Sequence, residues 1–155
     1  MCSFKIKSII LSFGLIFAIS IDAKMIRDSS VTDSQVIFDT ASNLMWQDDN
    51  DPDLLTHTWI DGISYCENLD KKSYTNWRLP NINELRTISD DSKVSPAISS
   101  IFLNVKNNKY WSSTSASASG GTTKDYAWII DFTTSAEDFV GKSKTLYVRC
   151  VRDAN

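Results

Sequence analysis

The chain has 155 residues, of which 42% are hydrophobic, 11% aromatic and 23% charged, and its formal net charge is −3. The length suits one domain, and the many aromatic side chains exclude a disordered protein. The acidic balance disfavours a nucleic-acid partner, which would need a basic surface. The single histidine, His57, excludes both a catalytic triad with a histidine base and a multi-histidine metal site.

Residues 1–23 have the plan of a secretory signal peptide. Two lysines precede an almost wholly apolar run over residues 9–19, and small-residue cleavage sites follow after Ser20 or Ala23. The apolar run is shorter than the roughly 20 residues that span a bilayer, which disfavours the alternative of a membrane anchor. We therefore expect an exported protein, periplasmic, cell-surface or extracellular, with no membrane span in the mature chain.

A polar lead-in over residues 24–35 precedes the predicted domain, which occupies residues 36–152. Residues 36–38 and 44–47 are predicted strands joined by a tight turn. An acidic loop over residues 48–53 follows them.

Two helices are predicted from their capping residues. The first covers residues 58–69, where Thr58 can cap the helix and Asp61 can bond back to it. The second covers residues 81–90, with Asn81 as the cap and a glutamate three residues later. The apolar spacing of the first helix turns Cys66 towards the core.

The rest of the domain is rich in predicted strands. Residues 77–79, 110–114, 126–132 and 146–152 alternate or cluster apolar side chains. Two helices beside one small antiparallel sheet predict the α+β class. Core packing is the expected role of all five tryptophans, which are Trp46, Trp59, Trp77, Trp111 and Trp128.

The mature chain keeps two cysteines, Cys66 and Cys150. An even pair in an exported protein indicates one disulfide, and two free buried thiols are the alternative. Both side chains are predicted to point inward, Cys66 from a helix and Cys150 from a strand, so a bridge between helix and sheet is sensible.

Five blocks of residues, taken in order and spacing, resemble one known family. They are Leu44-Met45-Trp46-Gln47, Trp59 to Tyr65-Cys66, Asn76-Trp77-Arg78-Leu79-Pro80-Asn81 with Glu84-Leu85, Tyr110-Trp111-Ser112-Ser113-Thr114, and Tyr147-Val148-Arg149-Cys150-Val151-Arg152. The chain is similar over residues 36–152 to the Lcl C-terminal domain family, named after the C-terminal domain of a bacterial collagen-like adhesin. The motif residues to which we assign structural roles are Trp46, Trp77, Arg78, Leu79, Pro80, Asn81, Glu84, Trp111 and Arg149.

The resemblance implies a C-type-lectin-like fold, with two helices, a small twisted antiparallel sheet and long loops. It also implies export, a Cys66–Cys150 disulfide and, by analogy with the named adhesin, binding to sulfated or otherwise charged glycans. From the residues themselves, Arg78 and Glu84 could form a buried ion pair that fixes a strand against a helix.

The acidic loop does not match a known calcium motif. Asp49, Asp51 and Asp53 alternate as EF-hand ligands do, but Leu54 and Ile60 stand where that motif needs glycine and glutamate. We therefore expect a solvated acidic turn, although a looser cation site stays open. The sequence predicts no metal site and no cofactor.

The leading hypothesis is a secreted or periplasmic lectin-like module that recognises a glycan or cell-surface polymer without calcium. Polar loops on a rigid scaffold commonly carry binding, and the candidate ligand-binding residues are the loop lysines Lys106, Lys109, Lys124, Lys142 and Lys144. The alternative for these lysines is solubility alone. A structural or assembly component that binds another protein is the second hypothesis, and an enzyme of unknown reaction is the third.

Overall fold

Two β-sheets and three short helices make up the protein in its computed structural model, which describes residues 25–27, 35–71, 74–117 and 125–154. In chain order the elements are β1 (Met25–Arg27), β2 (Val36–Asp39), β3 (Leu44–Gln47), α1 (Asp51–Leu54), β4 (Thr56–His57), α2 (Trp59–Glu67), α3 (Ile82–Thr87), β5 (Lys109–Ala116), β6 (Tyr126–Asp131), β7 (Ala136–Gly141), β8 (Leu146–Tyr147) and β9 (Val151–Asp153).

The first sheet has four strands in the order β1-β2-β3-β9, all antiparallel. Its register places Met25, Asp39, Leu44 and Asp153 in one row across the sheet. The second sheet has five strands in the order β4-β8-β5-β6-β7, and it is antiparallel except between β5 and β8.

The expectation of an α+β, C-type-lectin-like fold with one small antiparallel sheet is wrong. The chain is mostly β and divides its strands between two sheets. The predicted strand 146–152 is the main cause, because it breaks after Tyr147 and resumes at Val151 in the other sheet. Strands of two or three residues, such as β4 and β8, depend on distant partners and show no periodicity of their own.

Residues 25–27 form a strand that the sequence does not predict. Residues 1–23, the predicted signal peptide, lie outside the described residues, but the predicted lead-in contains β1. Arg27 at the end of β1 forms an ion pair with the buried carboxylate of Asp48 and donates to the carbonyl of Ile101. Residues 25–27 therefore belong to the folded domain.

Both predicted helices exist, and their predicted caps are confirmed. Thr58 Oγ1 accepts a hydrogen bond from the backbone N–H of Asp61 at 3.4 Å at the start of α2. Asn81 and Glu84 form a full capping box at the start of α3. Each helix ends earlier than predicted, α2 at Glu67 and α3 at Thr87.

The core has two parts. One lies around α3 and both sheets and includes Ile37, Trp46, Leu85, Tyr110 and Phe132. The other lies around α2 and is made of Val36, Cys66, Trp77, Leu79, Trp111, Ala127, Ile129, Val148 and Cys150.

The predicted disulfide is confirmed within the second part of the core. Cys66 of α2 bonds to Cys150 with a Cα–Cα distance of 5.5 Å, and both cysteines are fully buried. It attaches α2 to the segment that crosses between the two sheets.

Candidate functional site

Arg78, an arginine of the Asn-Trp-Arg-Leu-Pro-Asn block, is bound by Glu84 in the first turn of α3. The Arg78 guanidinium donates from Nη1 and Nη2 to the two carboxylate oxygens of Glu84 at 2.7 and 2.8 Å. The same carboxylate accepts the backbone N–H of Asn81 at 2.8 Å. The backbone of Arg78 exchanges two hydrogen bonds with Val151, which fixes its position beside β9. Glu84 is therefore held from two sides, and the bidentate pair is of the strong type.

This ion pair is half-exposed rather than buried. The Arg78 side chain is 40% exposed and that of Glu84 is 18% exposed. The hydrogen bond with Glu84 is the largest cause that raises the pKa of Arg78 above its ordinary value. A second carboxylate, that of Asp153, lies 3.2 Å from Nη2 and is 71% exposed. Arg78 is therefore bound firmly by Glu84 on one edge of its guanidinium group, the inner edge, and weakly by Asp153 on the solvent-facing outer edge.

An open cleft of about 360 Å³ lies on the outer side of Arg78 and is lined by Asn76, Arg78, Arg152 and Asp153. The Arg152 guanidinium carbon sits 5.0 Å from the centre of the Tyr74 ring. Its Nε donates to the backbone carbonyl of Asp153 at 2.9 Å. We call this feature the arginine cleft.

Asn76 enters the cleft from a left-handed backbone conformation, with a φ of 62°. Asparagine tolerates that conformation better than most residues because its side chain is short and polar. The four lining side chains supply planar hydrogen-bonding groups, namely an amide, two guanidinium groups and a carboxylate. They can hold and orient a ligand, and they include no nucleophile paired with a base. Guanidinium groups match carboxylate and sulfate geometry especially well.

Sequence reasoning placed Arg78 and Glu84 in a structural pair but assigned no role in binding to Asn76, Arg152 or Asp153. Arg78 and Asp153 are 75 residues apart, and only the pairing of Arg78 with Val151 brings them together. The one indication in the sequence that Arg78 and Arg152 have a shared role is that each lies in a block of the family resemblance.

The predicted ligand-binding lysines do not form one group in the part of the chain that the structure describes. Lys124 lies outside that part. Lys109 begins β5 opposite Asp131, whereas Lys142 follows β7 at the other end of the sheet. Five residue steps along β6, from Tyr126 to Asp131, separate these ends, roughly 17 Å. Lys106 precedes Lys109 by three residues, and Lys144 follows Lys142 by two, so the four described lysines divide into two pairs.

Lys109 and Lys142 each have a side-chain partner. Lys109 Nζ lies 3.6 Å from a carboxylate oxygen of Asp138. Lys142 Nζ lies 3.7 Å above the ring of Trp59 and donates to Ser115 Oγ at 2.8 Å. Lys142 therefore also packs against α2.

The tryptophans only partly follow the expectation of core packing. Trp46, Trp77 and Trp111 are buried. Trp59 and Trp128 are half-buried, and Trp128 contacts the exposed ring of Phe139 edge-on across β6 and β7, with 5.6 Å between ring centres. The expected burial of Trp128 is wrong, because its ring packs against Phe139, which is itself 37% exposed.

The acidic loop is not the solvated turn that the sequence predicts. Asp48 is fully buried and Asp49 is 6% exposed. The ammonium group of Lys71 lies 2.5 Å from Asp49 and 3.5 Å from Asp51. Burial of a carboxylate requires such a countercharge, and here the protein supplies it from its own chain.

Tyr65 completes this network. Its hydroxyl donates to Asp51 at 2.9 Å and accepts from Gln47 Nε2 at 2.8 Å. Burial raises the pKa of Tyr65 strongly, and the hydrogen bond to Asp51 adds to that rise. No group of three or more histidine, cysteine, aspartate or glutamate side chains is placed to hold a metal ion among residues 25–27, 35–71, 74–117 and 125–154.

The described residues contain no helix long and apolar enough to cross a membrane. The family model of the Lcl C-terminal domain matches residues 35–152. No curated protein matches the sequence. The family match contains Asn76, Arg78 and Arg152 of the arginine cleft, ends one residue before Asp153, and begins after β1.

Proposed function

Since the chain belongs to the Lcl C-terminal domain family over residues 35–152, we propose that it acts as an exported, non-catalytic binding module. Its ligand is an anionic glycan of a surface polymer, held without calcium in the arginine cleft. The family is named after a bacterial collagen-like adhesin, and the predicted signal peptide agrees with a role outside the cytoplasm.

One observation carries the proposal: Arg78 and Arg152 both line one open cleft. Arg78 is oriented by Glu84, and Arg152 is oriented by the Tyr74 ring and by the backbone of Asp153. Both arginines are thus positioned before a ligand arrives, which lowers the entropy cost of binding. A carboxylate or sulfate group on a sugar is the ligand chemistry that such donors fit best.

The acidic loop supports independence from calcium. The carboxylates of Asp49 and Asp51 already share the ammonium of Lys71. A calcium ion at this place would have to displace the ammonium group of Lys71. We therefore propose that neither calcium nor its chelation alters binding.

The test uses dextran sulfate, with neutral dextran as the comparison ligand. We expect the protein to bind dextran sulfate at low salt, equally with calcium and with EDTA. The Arg152→Gln variant should bind about ten- to hundred-fold more weakly, because a hydrogen bond to a charged group contributes roughly 1.5–3 kcal/mol. The matched control is Arg86→Gln, since Arg86 is an exposed arginine that pairs with Glu137.

Equal weakening in both variants would show that general surface charge, not the cleft, attracts the polymer. Absence of binding to dextran sulfate, together with specific capture of a protein partner, would favour the role of an assembly component. Either result would overturn the proposal.

A further inference from the structure

Among the residues that the structure describes, Asp153 is the one acidic side chain that lines the arginine cleft. Its Oδ1 lies 3.2 Å from Arg78 Nη2, and its backbone carbonyl accepts a hydrogen bond from Arg152 Nε at 2.9 Å. Asp153 therefore touches both arginines. The Asp153 carboxylate thus contacts a cation at a place where an anionic ligand is expected to bind.

Its carboxylate is held much more weakly than that of Glu84. Glu84 accepts three hydrogen bonds between 2.7 and 2.8 Å and is 18% exposed. Asp153 has its one contact with Arg78 near the upper limit of a hydrogen bond and is 71% exposed. Exposed pairs of this kind contribute little, about 0.2–1 kcal/mol, and salt screens them.

The backbone of Asp153 cannot follow its carboxylate away from the cleft. It belongs to β9 and pairs with Leu44 of β3. Rotation of the side chain alone can uncover the outer edge of Arg78, while the inner edge stays bound to Glu84. The outer edge of Arg78 is therefore available only to an anion that replaces Asp153.

We propose that Asp153 is a built-in competitor of the ligand, whose carboxylate occupies the ligand's position on Arg78 and is displaced when an anionic group binds. The inference rests on the proposed function, since it concerns the same cleft. It makes Asp153 a residue that sets specificity. Groups that engage both arginines at once replace it more readily than singly bonded or neutral groups do.

The test is the Asp153→Asn variant, which keeps the shape of the side chain and removes its charge. We expect dextran sulfate to bind this variant about two- to five-fold more tightly than wild type at low salt, the range that an exposed ion pair provides. The gain should shrink as salt is raised. Thermal melting should show that the variant is as stable as wild type.

The matched control is Asp138→Asn, because Asp138 is 54% exposed and also faces one cation, Lys109. Both substitutions raise the net charge by one, so equal gains in the two variants would attribute the effect to overall charge and overturn the inference. Weaker binding by Asp153→Asn would also overturn it, by making Asp153 a direct ligand contact. If none of the three proteins binds dextran sulfate, the proposed function fails and the inference fails with it. If wild type binds and Asp153→Asn binds equally well, only the inference fails.

Discussion

The carboxylate of Asp48 lies 3.0 Å from Nη1 of Arg149, and neither side chain is exposed to solvent. Arg149 also donates to the carbonyl of Asn104, while Asp48 accepts the backbone N–H groups of Leu103 and Asn104. The pair therefore ties the crossover between β8 and β9 to the irregular segment before β5. This segment has little regular structure of its own and depends on the buried charges for its position.

Removing one partner of this pair should destabilise the protein severely. Arg149→Met leaves the buried Asp48 with fewer donors, and we expect a loss of about 3–5 kcal/mol in the free energy of unfolding. Urea denaturation at neutral pH measures it. The control Arg86→Met removes an exposed arginine and should cost less than about 0.5 kcal/mol. A similar small loss for both variants would contradict a structural role for Arg149.

The disulfide should contribute much of the stability. Cys66 and Cys150 are 84 residues apart, and a loop of that length corresponds to roughly 4–5 kcal/mol in the chain-entropy model. Cys150→Ser should therefore melt at a much lower temperature than oxidised wild type. Under reducing conditions the two proteins should melt at similar temperatures. Two reactive thiols in the unreduced, folded protein would refute the bridge.

Stability at alkaline pH should depend on Tyr65. Burial raises its pKa above the ordinary value of about 10, so the folded state holds the phenol proton more tightly than the unfolded state. The resulting stabilisation is complete below pH 10 and is lost as pH rises towards the folded pKa. Urea midpoints between pH 8 and 11 should fall less steeply in Tyr65→Phe than in wild type. Parallel curves would show that Tyr65 does not titrate in this way.

The loop lysines give a test that separates them from the arginine cleft. The variant replaces Lys106, Lys109, Lys124, Lys142 and Lys144 with serine. The described lysines lie at two ends of the sheet and do not form one site. We therefore expect a modest loss of affinity for dextran sulfate, smaller than the loss caused by Arg152→Gln. Isothermal titration at two salt concentrations measures both. Complete loss of binding in the lysine variant alone would move the site from the cleft to the loops.

Local sequence patterns predict those elements whose stabilising contacts are themselves local. The cap residues Thr58 and Asn81 identify the starts of α2 and α3 because a capping bond spans only three residues. The hairpin of β2 and β3 is predicted because its turn is short and its strands are apolar. The edge strand β7, by contrast, is mostly exposed and acidic, so it shows no alternation that could reveal it.

The arrangement of strands and the cleft could not be predicted in the same way. Leu146 and Val151 are close in sequence, yet they belong to different sheets because their partners, His57 and Trp46, do. The cleft depends on the same pairing, since Val151 brings Arg152 beside Arg78. A single sequence contains no direct signal for contacts between residues so far apart.

The row that joins Met25 and Asp153 in the four-stranded sheet has a mechanical consequence. These residues lie three strand spacings apart, roughly 14 Å, so tension between them pulls across the strands and opens their hydrogen bonds one after another. The separation of strands from the C-terminal side stops at Cys150, and from the N-terminal side it stops at Cys66. Beyond these two residues the force passes through the disulfide bond. Strands β5, β6 and β7 lie inside the closed loop and bear none of it. Under load the domain therefore lengthens only through its outer strands, and most of the five-stranded sheet stays unstretched.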